Sequence, residues 1–549
     1  MSGKWHRVRA GGPLVWVTPT LTTLAVGYYG IGRAQLWRDE LATWSAASRP
    51  VGDLLRLTGT VDASAGPYYL LMHAWTRLLG DSATALRLPS ALAMAGAAGL
   101  TAVLGRRLFG APAGLVAGLL LAVLPGTSRY SQEARPYALV TLFAVLATVL
   151  LVRALDRPTW ARWAGYAAAV VGLGLAHLLA LALLAAHALV VLVGWALGRP
   201  ATGLAGPPAG SAQAHPADDA GPAAGPRATG VRRDRRLLRW PLAGLAAVVL
   251  LTPLLLAAGG QRSRQLDWVA PARLADLAAL PGGVAQSGVV GGLLVGLAAL
   301  GAARSGRRAL LPGAGVLLPV LLVFVAALAV PLWVPRYLLF TVPFGCLLAG
   351  AALTRTAPSG AALTGTAPGA GRPAAGSTPN RVGGRWASGG RSVGPGLAVV
   401  LLAGLLGLPD QVAVRQSHGW PRSATVDYRG AAAVIAAGQR PGDAVVYSPR
   451  DGWLFLDLGI DYHLTGPHPR DVLVVRGRRE RADLWVAECA RPAECLAGVR
   501  RVWLVLAGRP DAPLAAVPGA SGDALRAGFT VTEIRPRPGV TVALLVRPS

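Results

Sequence analysis

Acidic residues are scarce in this chain and lysine is nearly missing. There are 26 Asp and Glu against 53 Lys and Arg, Lys4 is the sole lysine, and charged residues make up only 14% of the 549. So little charge beside 53% hydrophobic residues excludes a large soluble protein and points to a polytopic membrane protein. The net charge of +27 does not imply a nucleic-acid partner, because the arginines are spread over short loops between apolar runs. Cysteine is just as sparse. Cys346 sits in an apolar run and reads as a small buried hydrophobe, whereas Cys489 and Cys495 would close a small disulfide loop in an oxidising compartment.

What is abundant is apolar sequence. Runs near 14–32, 86–104, 112–128, 137–152, 163–177, 178–197, 240–258, 286–303, 310–330, 337–353 and 394–409 predict about eleven transmembrane helices, with the pair between 163 and 197 the least distinct. The basic start, Met1 to Ala10, precedes a helix with no convincing cleavage site and reads as a retained anchor. Lys4, Arg7, Arg9, Arg106, Arg107, Arg153, Arg157, Arg162, Arg232, Arg233, Arg235, Arg236, Arg304, Arg307 and Arg308 all fall on one side if the helices alternate. That side is expected to be cytoplasmic, which places the N-terminus inside and the C-terminal region outside the cell membrane. Two inserts rich in Pro, Gly, Ala and Ser, 198–239 and 354–393, lack apolar periodicity and read as disordered cytoplasmic linkers within a membrane domain of residues 1–410.

The first outer loop, 33–85, opens on two adjacent carboxylates, Asp39 and Glu40, flanked by Trp37 and Trp44. Charge beside hydrocarbon is costly unless it is paired or used, and the tryptophans would suit an interfacial belt. Further along, Tyr68, Leu71, Met72, Trp75, Leu78 and Leu79 follow helical spacing and predict an apolar stripe, with Tyr69, His73, Thr76 and Arg77 on the other face. Such a helix would lie along the membrane as a floor for a lipid headgroup. From 411 to 549 the chain turns soluble in character. Asp443–Ser448, Val472–Val475, Val502–Ala507, Phe529–Ile534 and Val540–Val546 read as strands of a small extracytoplasmic α/β domain. It carries no Gly-rich nucleotide fingerprint, Walker loop or nucleophile elbow, and so reads as a lid or acceptor-recognition domain.

Four stretches share a pattern. Leu36-Trp37-Arg38-Asp39-Glu40, Asp62 with Gly66-Pro67-Tyr68-Tyr69, Leu86-Arg87-Leu88-Pro89-Ser90, and Gln132-Glu133-Ala134-Arg135-Pro136-Tyr137, followed later by Pro335-Arg336-Tyr337, resemble the GT-C membrane glycosyltransferases. The similarity is to bacterial relatives of protein O-mannosyltransferases and lipid A aminoarabinose transferases. One departure is Gly66, where many relatives carry a second proline. The resemblance implies a GT-C fold and inverting transfer of a hexose, with mannose the expected sugar, from a polyprenyl phosphate on the outer face. The acceptor would be a protein, glycolipid or cell-wall glycan hydroxyl. It also implies Asp39 as general base, with Glu40 orienting it or binding acceptor. His73, Arg135 and Arg336 are candidates for the donor phosphate, Tyr68 and Tyr69 for contact with the sugar or prenyl chain, and Asp62 and Glu133 for the substrate site. Asp39, Glu40, Asp62 and Glu133 offer the hard oxygen ligands a divalent cation prefers, but the resemblance argues against an obligatory metal, and no cofactor is expected.

Other readings of the same residues stay open. Glu133 and Arg135 would serve as well as a structural ion pair, Arg336 as a snorkelling anchor, Asp62 as a helix cap, His73 as a polar-face residue and His177 as a structural residue in a tight hairpin. A multi-pass lipid or polysaccharide flippase would explain the helices and boundary charges, but not a carboxylate pair beside a long outer loop. A noncatalytic anchor for the outer domain is the third reading.

Overall fold

The computed structural model describes residues 12–197, 230–266, 268–354, 393–416 and 426–548. Every predicted apolar run is helical. The helices are α1 (Leu14–Tyr28), α2 (Arg38–Ala47), α3 (Val51–Thr60), α4 (Gly66–Leu79), α5 (Ala83–Phe109), α6 (Ala111–Val123), α7 (Pro125–Ser131), α8 (Tyr137–Asp156), α9 (Trp160–Ala176) and α10 (Leu183–Ala196). They continue with α11 (Gly230–Gly260), α12 (Arg262–Leu266), α13 (Leu274–Ala285), α14 (Gly288–Ser305), α15 (Leu310–Ala327), α16 (Val342–Thr354), α17 (Gly394–Leu406) and α18 (Leu408–Arg415).

Among the described residues six helices are long and apolar enough to cross a membrane, or seven if the bent pair α6–α7 is one span, fewer than the eleven expected. The difference comes from length. α1 and α17 have 15 and 13 residues, about 20 Å each at 1.5 Å per residue, against about 30 Å of hydrocarbon. Conversely, Gly288–Ala327 is one apolar stretch of 40 residues. That is about 60 Å, enough for two passes, and Gly306 at φ 52 ends the first of them. Insert 198–239 is partly corrected, since its last ten residues are the start of α11. The rest of it, nearly all of 354–393, and Lys4, Arg7 and Arg9 lie outside the described residues.

Small residues set the helix spacing. A Cβ on Gly105 of α5 would come within 2.7 Å of the Gly114 Cα on α6, so the two backbones touch. Deep in the bundle His187 of α10 bonds Thr148 of α8 at 3.0 Å through Nε2 and Tyr166 of α9 at 3.1 Å through Nδ1, and Trp240 of α11 donates to the same phenol. Both ring nitrogens are engaged, so this network ties four helices together and leaves His187 nothing for a ligand.

The loop 33–85 folds as α2, α3 and α4. A helix does form here, but its faces differ from the expectation: Tyr68, Tyr69 and Met72 are buried, whereas Leu71 and Leu78 face out. Trp37 and Trp44 are not a belt either. Trp37 is buried beside Arg129, and Trp44 stacks edge-on against Tyr462 at 5.2 Å.

The C-terminal region holds α19 (Tyr428–Gly438), β1 (Ala444–Ser448), α20 (Leu456–His463), β2 (Arg470–Asp471), β3 (Val474–Arg476), β4 (Ala487–Glu488), α21 (Pro492–Cys495), β5 (Arg501–Ala507), α22 (Gly519–Gly528), β6 (Thr530–Arg537) and β7 (Val540–Val546). The main sheet runs β2-β1-β5-β7-β6, with β2, β1 and β5 parallel and β7 and β6 antiparallel to their neighbours. Cys489 and Cys495 are disulfide-bonded, and Cys346 is free and buried in α16. This region shares one apolar core with the 33–85 loop, in which Leu41, Leu54 and Met72 join Tyr428, Ile435 and Leu458. Among the described residues, polar ties across the same junction include Gln35 to Asp427 at 2.7 Å, the Arg429 N–H to Gln35 Oε1 at 2.8 Å, Arg49 to the Asp483 carbonyl at 2.6 Å and Tyr462 to the Asp81 carbonyl at 3.1 Å.

Candidate active site

Asp39 owes its position to its neighbour. α2 begins at Arg38, and Glu40 in its first turn reaches back to accept from the Trp37 N–H at 3.3 Å. Arg87, from the first turns of α5, grips the same carboxylate through Nε to Oε1 at 2.8 Å and Nη2 to Oε2 at 2.6 Å. It also donates to the carbonyls of Ile31, Ala34 and Gln35, while the Ala134 N–H adds a bond to Glu40 Oε1 at 2.8 Å. Arg87 and Glu40 are both fully buried. This clamp joins the segment before α2, the start of α5 and the 132–137 loop. It leaves Asp39, one residue earlier, turned into a cavity.

That cavity, about 290 Å³, is lined by Asp39 and Asp62 and by four arginines, Arg38, Arg135, Arg262 and Arg336. Among the described lining residues, four cations against two anions leave a net of two positive charges. Arg336 lies in the first turn of the 3-10 segment Pro335–Thr341, which runs straight into α16. It is 6% exposed, donates to Tyr137 Oη at 2.9 Å and lies 3.7 Å from Asp39 Oδ2. The rings of Tyr137, Trp268 and Tyr337 surround its guanidinium at 5.2 to 5.8 Å. Arg135 is the less satisfied of the two. Its buried Nε has no partner, and among the described residues its side chain reaches Tyr69 Oη only at 3.5 Å. Leu255 and Ala258 of α11, with Leu178 and Leu332, make the apolar side, while Trp453, Phe455 and Leu484 of the C-terminal region cover the other. α11 turns Leu245, Val249, Leu250 and Leu256 outward, so the apolar side borders the lipid.

The structure therefore brings Asp39, Asp62, Arg135 and Arg336 around one cavity, and it places the other expected site residues elsewhere. Glu40 is held by Arg87 and does not line the cavity. Tyr68 is buried in the core shared with the C-terminal region, and Tyr69, also buried, donates to Asp62 Oδ2 at 2.7 Å. Neither tyrosine lines the cavity, because α4 aims both inward. His73 bonds the Ala47 carbonyl through Nδ1 at 2.9 Å and ties α4 to α2, away from the cavity. Glu133 is buried 3.6 Å from Arg129. His177 does line the cavity, against the Tyr337 ring at 4.6 Å. Among the described residues no group of three or more His, Cys, Asp or Glu gathers as a candidate metal site.

The sequence pattern assigns no role to Arg87, Tyr137, Arg262, Trp268 or Trp453. Arg87 had a usable signal, a lone arginine in the opening turns of an apolar helix. Trp453 had none, since it arrives from a region more than 400 residues after Asp39.

Residues 66–203 match the family described as dolichyl-phosphate-mannose-protein mannosyltransferase. No curated protein matches the chain. Among solved structures, ArnT from Cupriavidus metallidurans in the apo state superposes with a TM-score of 0.58 at 16% identity, over 96% of this chain and 97% of that one. The same protein bound to undecaprenyl phosphate gives 0.57 at 16% identity, over 97% and 98%. The chain has the GT-C membrane glycosyltransferase fold.

Proposed function

We propose that the chain transfers a sugar from a polyprenyl phosphate to an acceptor hydroxyl on the outer face of the membrane. The observation that carries this reading is Arg135, whose buried Nε has no partner among the described residues, in a cavity that also holds Asp39 and Arg336. A cation with an unused buried donor suits an anion, and a phosphate accepts the paired bonds a guanidinium offers. The ArnT structure bound to undecaprenyl phosphate supports a lipid phosphate as that anion. The apolar wall of α11 would take the start of the prenyl chain.

In this reading Asp39 accepts the proton of the acceptor hydroxyl as its oxygen attacks the anomeric carbon. The bond from that carbon to the phosphate oxygen breaks, and Arg135 and Arg336 stabilise the charge left on the phosphate. The Tyr137 bond fixes the Arg336 guanidinium between Asp39 and the phosphate. Trp453, Phe455 and Leu484 shield the cavity from water, so these charges act in a medium of low dielectric. The region carrying them is read as extracytoplasmic, with the N-terminus inside.

Mannose is the first sugar to test, with aminoarabinose second. Membranes containing the protein are given radiolabelled polyprenyl-phosphate mannose and polyprenyl-phosphate aminoarabinose in parallel. Label passing from either donor into a product supports the reading and names the sugar. A flux of intact donor lipid across the membrane without transfer would favour the flippase.

A further inference from the structure

The C-terminal region contains a second cavity, about 550 Å³, that the reaction above does not use. It lies outside the carboxyl end of β1, lined by Tyr447, Ser448 and Arg450, with Ser521 of α22 opposite. The chain leaves β1 for β2 on one side and returns on the other as β5. Parallel sheets bind ligands in the crevice such a reversal opens.

Two features give the cavity its chemistry. The first is a pair of indoles, Trp453 and Trp485, whose rings meet edge-on at 4.8 Å. Each is only partly buried, and the Trp485 ring also leans on Phe455 at 5.3 Å. The second is a set of hydroxyl-binding groups. Arg450 donates through Nε to Glu488 Oε1 at 2.9 Å and is further held by Asp457 and Asp471. Glu488 stays 29% exposed, which leaves its carboxylate open to the cavity. Asp451 and Arg481 complete the rim, with Asp483 buried beneath them, accepting from the Leu484 N–H at 2.7 Å and lying 3.5 Å from Arg481. A pyranose matches this combination, since its C–H face packs on an aromatic ring while its hydroxyls both donate to carboxylates and accept from guanidinium. Among the described lining residues the carboxylates Asp451, Asp483 and Glu488 outnumber Arg450 and Arg481, which disfavours an anionic ligand.

Trp453 also lines the cavity that holds Asp39, so the two spaces meet at one side chain. We infer that the Trp453–Trp485 cavity binds an uncharged or amino-bearing oligosaccharide portion of the acceptor and directs its end toward Asp39. The inference rests on the transferase reading for its purpose, and its test does not need transfer.

The full-length protein in detergent is titrated with hexose oligosaccharides released by mild acid from the envelope of the producing cells, while tryptophan fluorescence is followed. The expected result is a saturable change that weakens at least tenfold in Trp485→Ala and severalfold in Asp451→Asn, whose side chain is exposed and outside the core. No saturable change in the wild type, or an unaltered response in both variants, overturns the inference. So does a response to envelope peptides but not to the oligosaccharides. Absence of sugar transfer in the wild type alongside intact oligosaccharide binding would instead sink the transferase reading alone.

Discussion

Arg87→Met tests whether the buried clamp, rather than direct chemistry, is the business of Glu40. Methionine keeps much of the length and the apolar stem of arginine but removes two bonds to Glu40 and those to the Ile31, Ala34 and Gln35 carbonyls. Glu40 is then left buried with only the Ala134 and Trp37 N–H groups. Breaking a buried pair from one side costs about 3–5 kcal/mol, mostly from the stranded charge. Glu40→Gln alone sets an amide against the guanidinium and is expected to cost about 2–4 kcal/mol. The double variant carries no stranded charge, and its glutamine still accepts from Ala134. It should be no less stable than Arg87→Met, a coupling of about 2 kcal/mol or more. Equilibrium unfolding in mixed micelles measures all three. Additive costs, or a loss below about 1 kcal/mol for Arg87→Met, would refute the clamp.

Three further outcomes follow from the same geometry. Tyr137→Phe removes the 2.9 Å bond to Arg336 Nε and should raise the donor KM severalfold, about 1 kcal/mol, in steady-state transfer, whereas Arg336→Ala should mainly lower kcat. His187→Ala unties Thr148 from Tyr166 and should lower unfolding stability by about 1–2 kcal/mol without changing transfer kinetics. Burial, with Arg429 nearby, lowers the His463 pKa from 6.5 to about 4. The folded state thus prefers neutral His463, so its contribution is complete above pH 6.5 and is lost as pH falls toward 4. Because the ring is partly exposed, that loss is about 1–2 kcal/mol, and His463→Gln should flatten the stability profile between those limits.

Much of this was legible because polar residues stand out in an apolar chain. Asp39, Arg135 and Arg336 are far apart in sequence, yet each sits where an apolar run begins or ends, and such boundaries at one membrane face converge when helices pack. The strands after 440 showed by β-branched runs between turns, and β5 and β7 lie within one residue of their expected limits. Faces were harder to read. α4 carries apolar residues around most of its circumference, so spacing alone could not say that Tyr69 turns inward while Leu71 and Leu78 turn out. The partner of Glu40 was hidden for another reason. A buried carboxylate is explained only by its counter-ion, and Arg87 reaches it from a different helix. The covering of the cavity by Trp453 depends on how the C-terminal region docks, which no local pattern encodes.

In the proposed reaction Asp39 takes the acceptor proton. Asp39→Asn keeps the size of the side chain and removes the base, while Glu40 and Arg87 go on holding α2 in place. Transfer from radiolabelled polyprenyl-phosphate sugar is compared in membranes holding equal amounts of the wild type and the variant, each checked for an unchanged unfolding midpoint. A fall of about 10²-fold or more in kcat is expected, in keeping with the loss of a general base. Equal transfer by the two proteins would contradict the account and remove Asp39 from the chemistry.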